Sequence, residues 1–327
     1  MNPEVGKVSM ENCECFPDAV TGNAASDREE LGGQLVHPFP NITIGMGTRV
    51  LEHAAYDRRV AKASSGTDIL VVMATLGERP EFLNEALESI TSQSVDADVV
   101  IVGPIDSTVL KGASERFGAD LTADPGSLPA AINLGIAEHG ARYEFVTWLN
   151  DDDLLEPGAL DRTRRALIDR PDASATYGFC RYIDGAGRQL WVNKAGKLAP
   201  WILKWGPDLI PQPGSLIRRS SWEHVGGLDE SYSLAFDLDL LLRLQKVGPL
   251  VDVGQIVSSF RWHADSLTVD DRTRNIAESE RAKRAALGPW GRRSSWLWEM
   301  PVRWATRAAA SEVQRRAQRR ARSTTNR

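Results

Sequence analysis

Cysteine is scarce in this chain. Three in 327 residues, Cys13, Cys15 and Cys180, exclude a disulfide framework, since the first two stand only two positions apart in a polar leader. A reducing, cytoplasmic setting is therefore expected. No stretch approaches the roughly eighteen consecutive apolar residues of a membrane-spanning helix. A basic start followed by an apolar run is also missing, so no secretory signal is predicted. Charge of one sign does not dominate either: 39 basic against 44 acidic side chains leave −5, which excludes a surface given over to nucleic acid. With 42% apolar and 25% charged residues, wholesale disorder and collagen-like repetition are excluded as well. The imbalance that exists is local. From Gly291 to Arg327 there are ten arginines and two glutamates, +8, so the rest of the chain carries −13.

What is present is regular alternation. Residues 1–65 read as a polar, poorly ordered leader. From Asp68 the run Ile69-Leu70-Val71-Val72-Met73 has the continuous apolar character of a strand buried on both faces, as in a parallel sheet. Pro80 is placed to open a helix, and Phe82, Leu83, Ala86, Leu87 and Ile90 recur at helical spacing up to Gln93. Asp98 to Val102 is a second strand, which completes a crossover unit. A helix over 128–138, a strand over 143–149 and a helix over 157–169 continue the pattern, and 174–183 with 189–193 forms a glycine-turned hairpin. Residues 194–213, with four prolines and two tryptophans, read as a long surface loop of the kind that carries specificity. Ser220 with Glu223 predicts a capping box, Asp237 a cap on the helix ending near Val247, and 250–253 and 256–262 two last strands. The expected class is α/β, with a mostly parallel sheet and a small antiparallel hairpin region.

The chemistry concentrates in Asn150-Asp151-Asp152-Asp153, directly after an apolar strand. In open α/β sheets ligands bind beyond the carboxyl ends of strands, so these carboxylates face a crevice, and their repulsion there needs an offset. A hard divalent cation supplies one, because Mg²⁺ takes one or two protein carboxylates and leaves its other positions to substrate phosphates. The alternative is a solvated acidic turn ahead of the next helix.

At this point the chain resembles the family 2 glycosyltransferases, enzymes of the GT-A fold, over about residues 67–268. Four segments match in order: Ala74-Thr75-Leu76-Gly77-Glu78-Arg79-Pro80, the acidic triplet, Phe236-Asp237-Leu238-Asp239, and Phe260-Arg261-Trp262-His263. The resemblance implies a GT-A domain over 66–270, followed by a helical, Trp- and Arg-rich extension over 271–327. It implies that a nucleotide-sugar donor lies against Ala74, Thr75, Leu76, Glu78 and Arg79. Asp151 would lie near the ribose and diphosphate, and Asn150 stands where many members have the first Asp. Asp152 would be the main metal ligand for Mg²⁺ or Mn²⁺, with Asp153 a further ligand or a contact behind the ligands, and His263 a metal ligand or a donor to phosphate. Asp237 falls at the position of the base that takes the acceptor's proton; Asp239 is second choice, although it could simply pair with Arg243 at i+4. The family's base-reading acidic pair is missing after the second strand, where Val102-Gly103-Pro104-Ile105-Asp106 stands, so Asp106 is the candidate from a shifted position. Asn133, on the helix after Asp124-Pro125-Gly126-Ser127, is a further donor-side candidate.

The implied activity is inverting transfer of a sugar to a hydroxyl of a glycan or glycolipid, in cell-surface polysaccharide or glycolipid synthesis. A donor-binding protein without catalysis is an alternative, and a sugar nucleotidyltransferase a lesser one. Trp290, Trp296, Trp298 and Trp304 beside the arginines suggest peripheral membrane contact; the alternative is a solvated basic end.

Overall fold

The computed structural model describes residues 66–194, 196–262 and 272–287. The expected leader, His263 and the Trp/Arg-rich segment beyond residue 287 lie outside the described residues. Among those described, no helix is long and apolar enough to cross a membrane.

The first apolar run forms β1 (Ile69–Ala74), and its alternation explains the layering. Leu70 and Val72 point into one core, whereas Ile69, Val71 and Met73 point into the other, all at 1% exposure or less. β1 pairs in parallel with β2 (Asp98–Gly103) on one side and β4 (Phe145–Trp148) on the other, and β3 (Asp120–Ala123) extends the parallel set beyond β2. On the far side of β4 the direction reverses. β8 (Leu216–Arg218) runs antiparallel to both β4 and β6 (Ala175–Ile183). β6 makes the expected hairpin with β7 (Gln189–Asn193) and also pairs in parallel with β9 (Leu250–Arg261), whose far end holds the two-residue β5 (Leu154–Leu155). The sheet order is β3-β2-β1-β4-β8-β6-β9-β5.

Helices cover both faces. α1 (Pro80–Thr91), α2 (Thr108–Phe117) and α4 (Ala159–Asp169) bury Leu83, Leu110 and Leu160 in one core. Ile132 of α3 (Leu128–His139), Trp222 of α6 (Arg219–Val225) and Leu240 of α7 (Phe236–Leu244) fill the other. The short α5 (Ala199–Leu203) interrupts the expected loop, burying Ala199 and Leu203. α8 (Arg272–Ala286) packs on α7 and adds Ala282 to the same core.

Several local expectations change. The two last strands are one, β9, bent at Gly254, which has φ +68°. The capping box is not formed: α6 begins at Arg219, and Glu223 pairs with Arg219 instead of turning back on Ser220. Asp237 is not the cap of α7, because Ala235 holds that position.

Candidate active site

Two hollows open along the carboxyl-end edge of the parallel strands, sharing Leu128, Asn150 and Phe260 in their walls. The larger, about 440 Å³, lies between the loop after β1 and the turn after β4. Ala74, Thr75, Leu76, Glu78, Arg79, Asn150, Asp151 and Asp152 all line it. The Thr75 hydroxyl donates to Asp151 Oδ2 at 2.5 Å and accepts the Gly77 N–H at 2.9 Å, so the glycine turn fixes the threonine that fixes the carboxylate. Arg79 donates to Asp152 Oδ2 at 3.2 Å and to Asp151 Oδ1 at 3.5 Å. Burial raises the Asp151 carboxyl above its ordinary range, with the Thr75 bond opposing and repulsion from Asp152 adding to the rise.

Asp153 turns the other way. It is fully buried, accepting from Asn150 Nδ2 at 3.1 Å and from the Arg261 backbone N–H at 3.1 Å, and burial pushes its carboxyl well up. Of its two expected places, the geometry favours the contact behind the ligands: its oxygens hold the turn together and do not line the hollow. Arg261, 2% exposed, completes that buttress by donating to the Asp152 carbonyl at 3.1 Å and to Glu85 Oε2 at 2.5 Å, with its guanidinium 4.2 Å from the Phe82 ring centre.

Asp106 is also displaced from its expected role. It is exposed on the turn after β2, and Asp124, Gly126 and Ser127 line the hollow in its stead. Gly103 shows why no base-reading side chain stands at the end of β2: a Cβ there would lie 2.3 Å from the Thr75 carbonyl oxygen. Asn133 lines neither hollow. Its amide holds the segment before α7, donating to the Leu228 carbonyl and Glu230 and accepting the Leu228 N–H, each at 2.9 Å.

The smaller hollow, about 290 Å³, is walled by β6, β9, the segment before β8 and the start of α7. Asp237 lines it from the first turn of α7, accepting the Leu238 N–H at 2.7 Å, and loss of hydration raises its carboxyl to about 6. Asp239 does not reach this space. It is buried against Arg243, whose Nε donates to it at 2.7 Å while Nη1 binds the carbonyls of Val225 and Gly227. Its reading as second-choice base gives way to the i,i+4 pair.

Two residues escaped the sequence reading. Asp208, in the segment between α5 and β8, lines the smaller hollow. It is still open to solvent, yet crowding by protein and repulsion from Asp237 raise its carboxyl to about 7. Glu278 of α8 accepts the backbone N–H groups of Ser233, Leu234 and Ala235 at 2.9, 2.8 and 3.2 Å, so one carboxylate ties down the approach to Asp237. Only the Ser233-to-Phe236 spacing ahead of an acidic helix start hints at such a clamp, and nothing local identifies its partner.

In the larger hollow Asp151 and Asp152 face the Arg79 guanidinium and Glu78 and Asp124 also line the space, leaving an excess of acidic groups. Among the described residues no group of three or more acidic, histidine or cysteine side chains is set to hold a metal by itself. The donor set nevertheless fits a hard cation that takes two carboxylates and completes its shell from a bound diphosphate.

No protein-family model matches the chain. Among curated proteins, the O-antigen biosynthesis protein RfbC of Myxococcus xanthus is 30% identical over 207 residues, which is 59% of this chain but only 16% of that protein's length. Among solved structures, the mannosyltransferase PcManGT from Pyrobaculum calidifontis, in complex with GDP-Man and Mn²⁺, is similar with a TM-score of 0.51 at 17% identity, covering 81% of this chain and 86% of that one. The fold is that of the GT-A glycosyltransferases. TarS 1-349 of S. aureus in complex with UDP has a TM-score of 0.49 at 15% identity, covering 67% of this chain and 65% of that one. Within the GT-A fold, the mixed edge formed by β6, β7 and β9 is the hairpin region expected from the sequence.

Proposed function

We propose that the chain is an inverting glycosyltransferase that moves a sugar from a nucleotide-sugar donor to an acceptor hydroxyl, in the manner of family 2, in polysaccharide synthesis. The observation that carries this reading is the pair of adjoining hollows, one holding Arg79, Asp151 and Asp152 and the other Asp237, with Leu128, Asn150 and Phe260 common to both. The RfbC likeness supports the biosynthetic setting.

In this reading the donor's nucleotide lies against Ala74, Thr75, Leu76, Glu78 and Asp124, with its diphosphate toward Arg79, Asp151 and Asp152. A divalent cation held by Asp152 and Asp151 would offset the charge on the departing diphosphate. Arg79 complements the phosphates directly. Asp237 accepts the proton of the acceptor hydroxyl as its oxygen bonds to the anomeric carbon from the face opposite the nucleotide. The bond from that carbon to the diphosphate oxygen breaks, and the diphosphate leaves with the bonding electrons. Burial helps here, since a base with pKa raised to about 6 holds a proton better than an ordinary aspartate yet is ionised at neutral pH. Asn150, common to both walls, would lie near the anomeric centre.

The test is a screen of UDP- and GDP-sugars for metal-dependent turnover, followed by Asp237→Asn. Nucleotide binding should persist while transfer collapses; transfer at the wild-type rate would overturn the base assignment.

A further inference from the structure

The two hollows differ in kind. The larger contains a guanidinium beside its carboxylates; the smaller has no lysine or arginine among its described lining residues and instead carries two carboxyls, Asp208 and Asp237. Lys283, 5% exposed and outside the lining, donates to the Gly206 carbonyl at 2.6 Å and partly offsets the charge of Asp208 from there. The carboxyls share the lining with an aromatic cluster. Tyr182 stacks on Trp191 with ring centres 4.3 Å apart and planes 16° from parallel, and Phe260 and Trp262 pack around Tyr182 at 5.2 and 6.3 Å. Tyr182, Phe260 and Trp262 all line the hollow.

Carboxylates together with aromatic rings in one small hollow suit a sugar, whose hydroxyls donate in the ring's periphery while its C–H face is apolar. The same pair of carboxyls repels an anion in a partly desolvated space whose described lining holds no cation, with Lys283 offsetting Asp208 only in part from behind it. Resting on the transferase reading above, we infer that the smaller hollow accepts an uncharged sugar residue, with Asp208 and Asp237 taking hydrogen bonds from its hydroxyls, and rejects a phosphorylated or carboxylated one. Asp208 thereby becomes a specificity-determining residue. The carboxyl shifts of Asp208 and Asp237, both upward, agree with two acids facing one small space.

The experiment is saturation-transfer NMR on the whole chain with UDP or GDP and Mn²⁺ present. The probes are methyl glycosides of glucose, galactose, mannose and N-acetylglucosamine, set against glucose 6-phosphate, mannose 6-phosphate and glucuronate. At least one uncharged glycoside should bind at least tenfold more tightly than every charged probe. Asp208→Ala should weaken it about tenfold, and Asp208→Lys should narrow or reverse the gap to the phosphorylated sugars, while nucleotide affinity stays within twofold. Equal or tighter binding of a charged probe, or no binding of any uncharged glycoside while nucleotide still binds, would overturn the inference. Loss of the transferase reading looks different: nucleotide would fail to bind, or would bind without regard to Arg79 and Asp151.

Discussion

Replacing Asp237 with Asn should remove activity and, at the same time, stabilise the protein, with a pH dependence that identifies the cause. Burial raises this carboxyl from an ordinary 3.8 to about 6, so the folded state holds its proton more tightly than the unfolded chain does. Where the native state binds more protons, stability falls as pH rises. The penalty is absent below the unfolded pKa near 4, grows between there and about 6, and is complete above that. At about 1.4 kcal/mol per pKa unit the full shift corresponds to about 3 kcal/mol. Asp237 is only half-buried, and solvent screening reduces this to about 1–2 kcal/mol. The asparagine oxygen can still accept the Leu238 N–H, so the substitution removes the charge and keeps the bond. Thermal unfolding of both proteins at pH 4 and pH 8 should show the variant gaining roughly 2–8 °C at pH 8. At pH 4 the difference should nearly vanish. Transfer should drop by about 10²–10⁴-fold. An equal gain at both pH values would refute burial of the charge as the cause, and unchanged transfer would refute the base assignment.

Other outcomes follow from the same geometry. Transfer by the wild-type protein should rise with pH through about 6, as Asp237 loses its proton, and a rate already maximal at pH 5 would contradict this. Asp152→Ala should abolish metal-dependent nucleotide binding in calorimetry, whereas Asp153→Asn should leave metal dependence intact, because Asp153 faces Asn150 and Arg261. Arg261→Ala removes a buried side chain that packs on Phe82 and donates to the Asp152 carbonyl, while its ion-pair partner Glu85 is exposed, and should cost about 1–3 kcal/mol in denaturant unfolding. Glu278→Ala leaves three backbone donors without their carboxylate; hydrogen exchange of Ser233, Leu234 and Ala235 should accelerate, with transfer falling more than nucleotide affinity.

The parallel half of the fold was legible because its signals are local. β1 and α1 declare themselves through a continuous apolar run and a 3.6-residue period opened by Pro80. β8, three residues long, offers no period to read, yet it is the strand that joins the two halves of the sheet. β9 reads as two strands because the bend at Gly254 interrupts its pattern while the pairing with β6 continues past it. In the site, the strand-end position made Asp151 and Asp152 visible. Sequence could not say that Asp153, one residue on, turns into the interior, since a tight turn sends successive side chains in different directions. Asp208 was hidden in an aperiodic stretch, and its meaning depends on Asp237, 29 positions later, in the lining of the same hollow. Glu278 was hidden for the same reason: its partners are backbone N–H groups more than forty residues away.

The most direct test is a crystal structure with Mn²⁺ and a nucleoside diphosphate bound. The account predicts the diphosphate against Arg79 and the metal on Asp152 and Asp151, with the Asp237 carboxyl open to the same continuous space across Asn150 and Phe260. Nucleotide bound elsewhere, or a wall of protein between the diphosphate and Asp237, would contradict it.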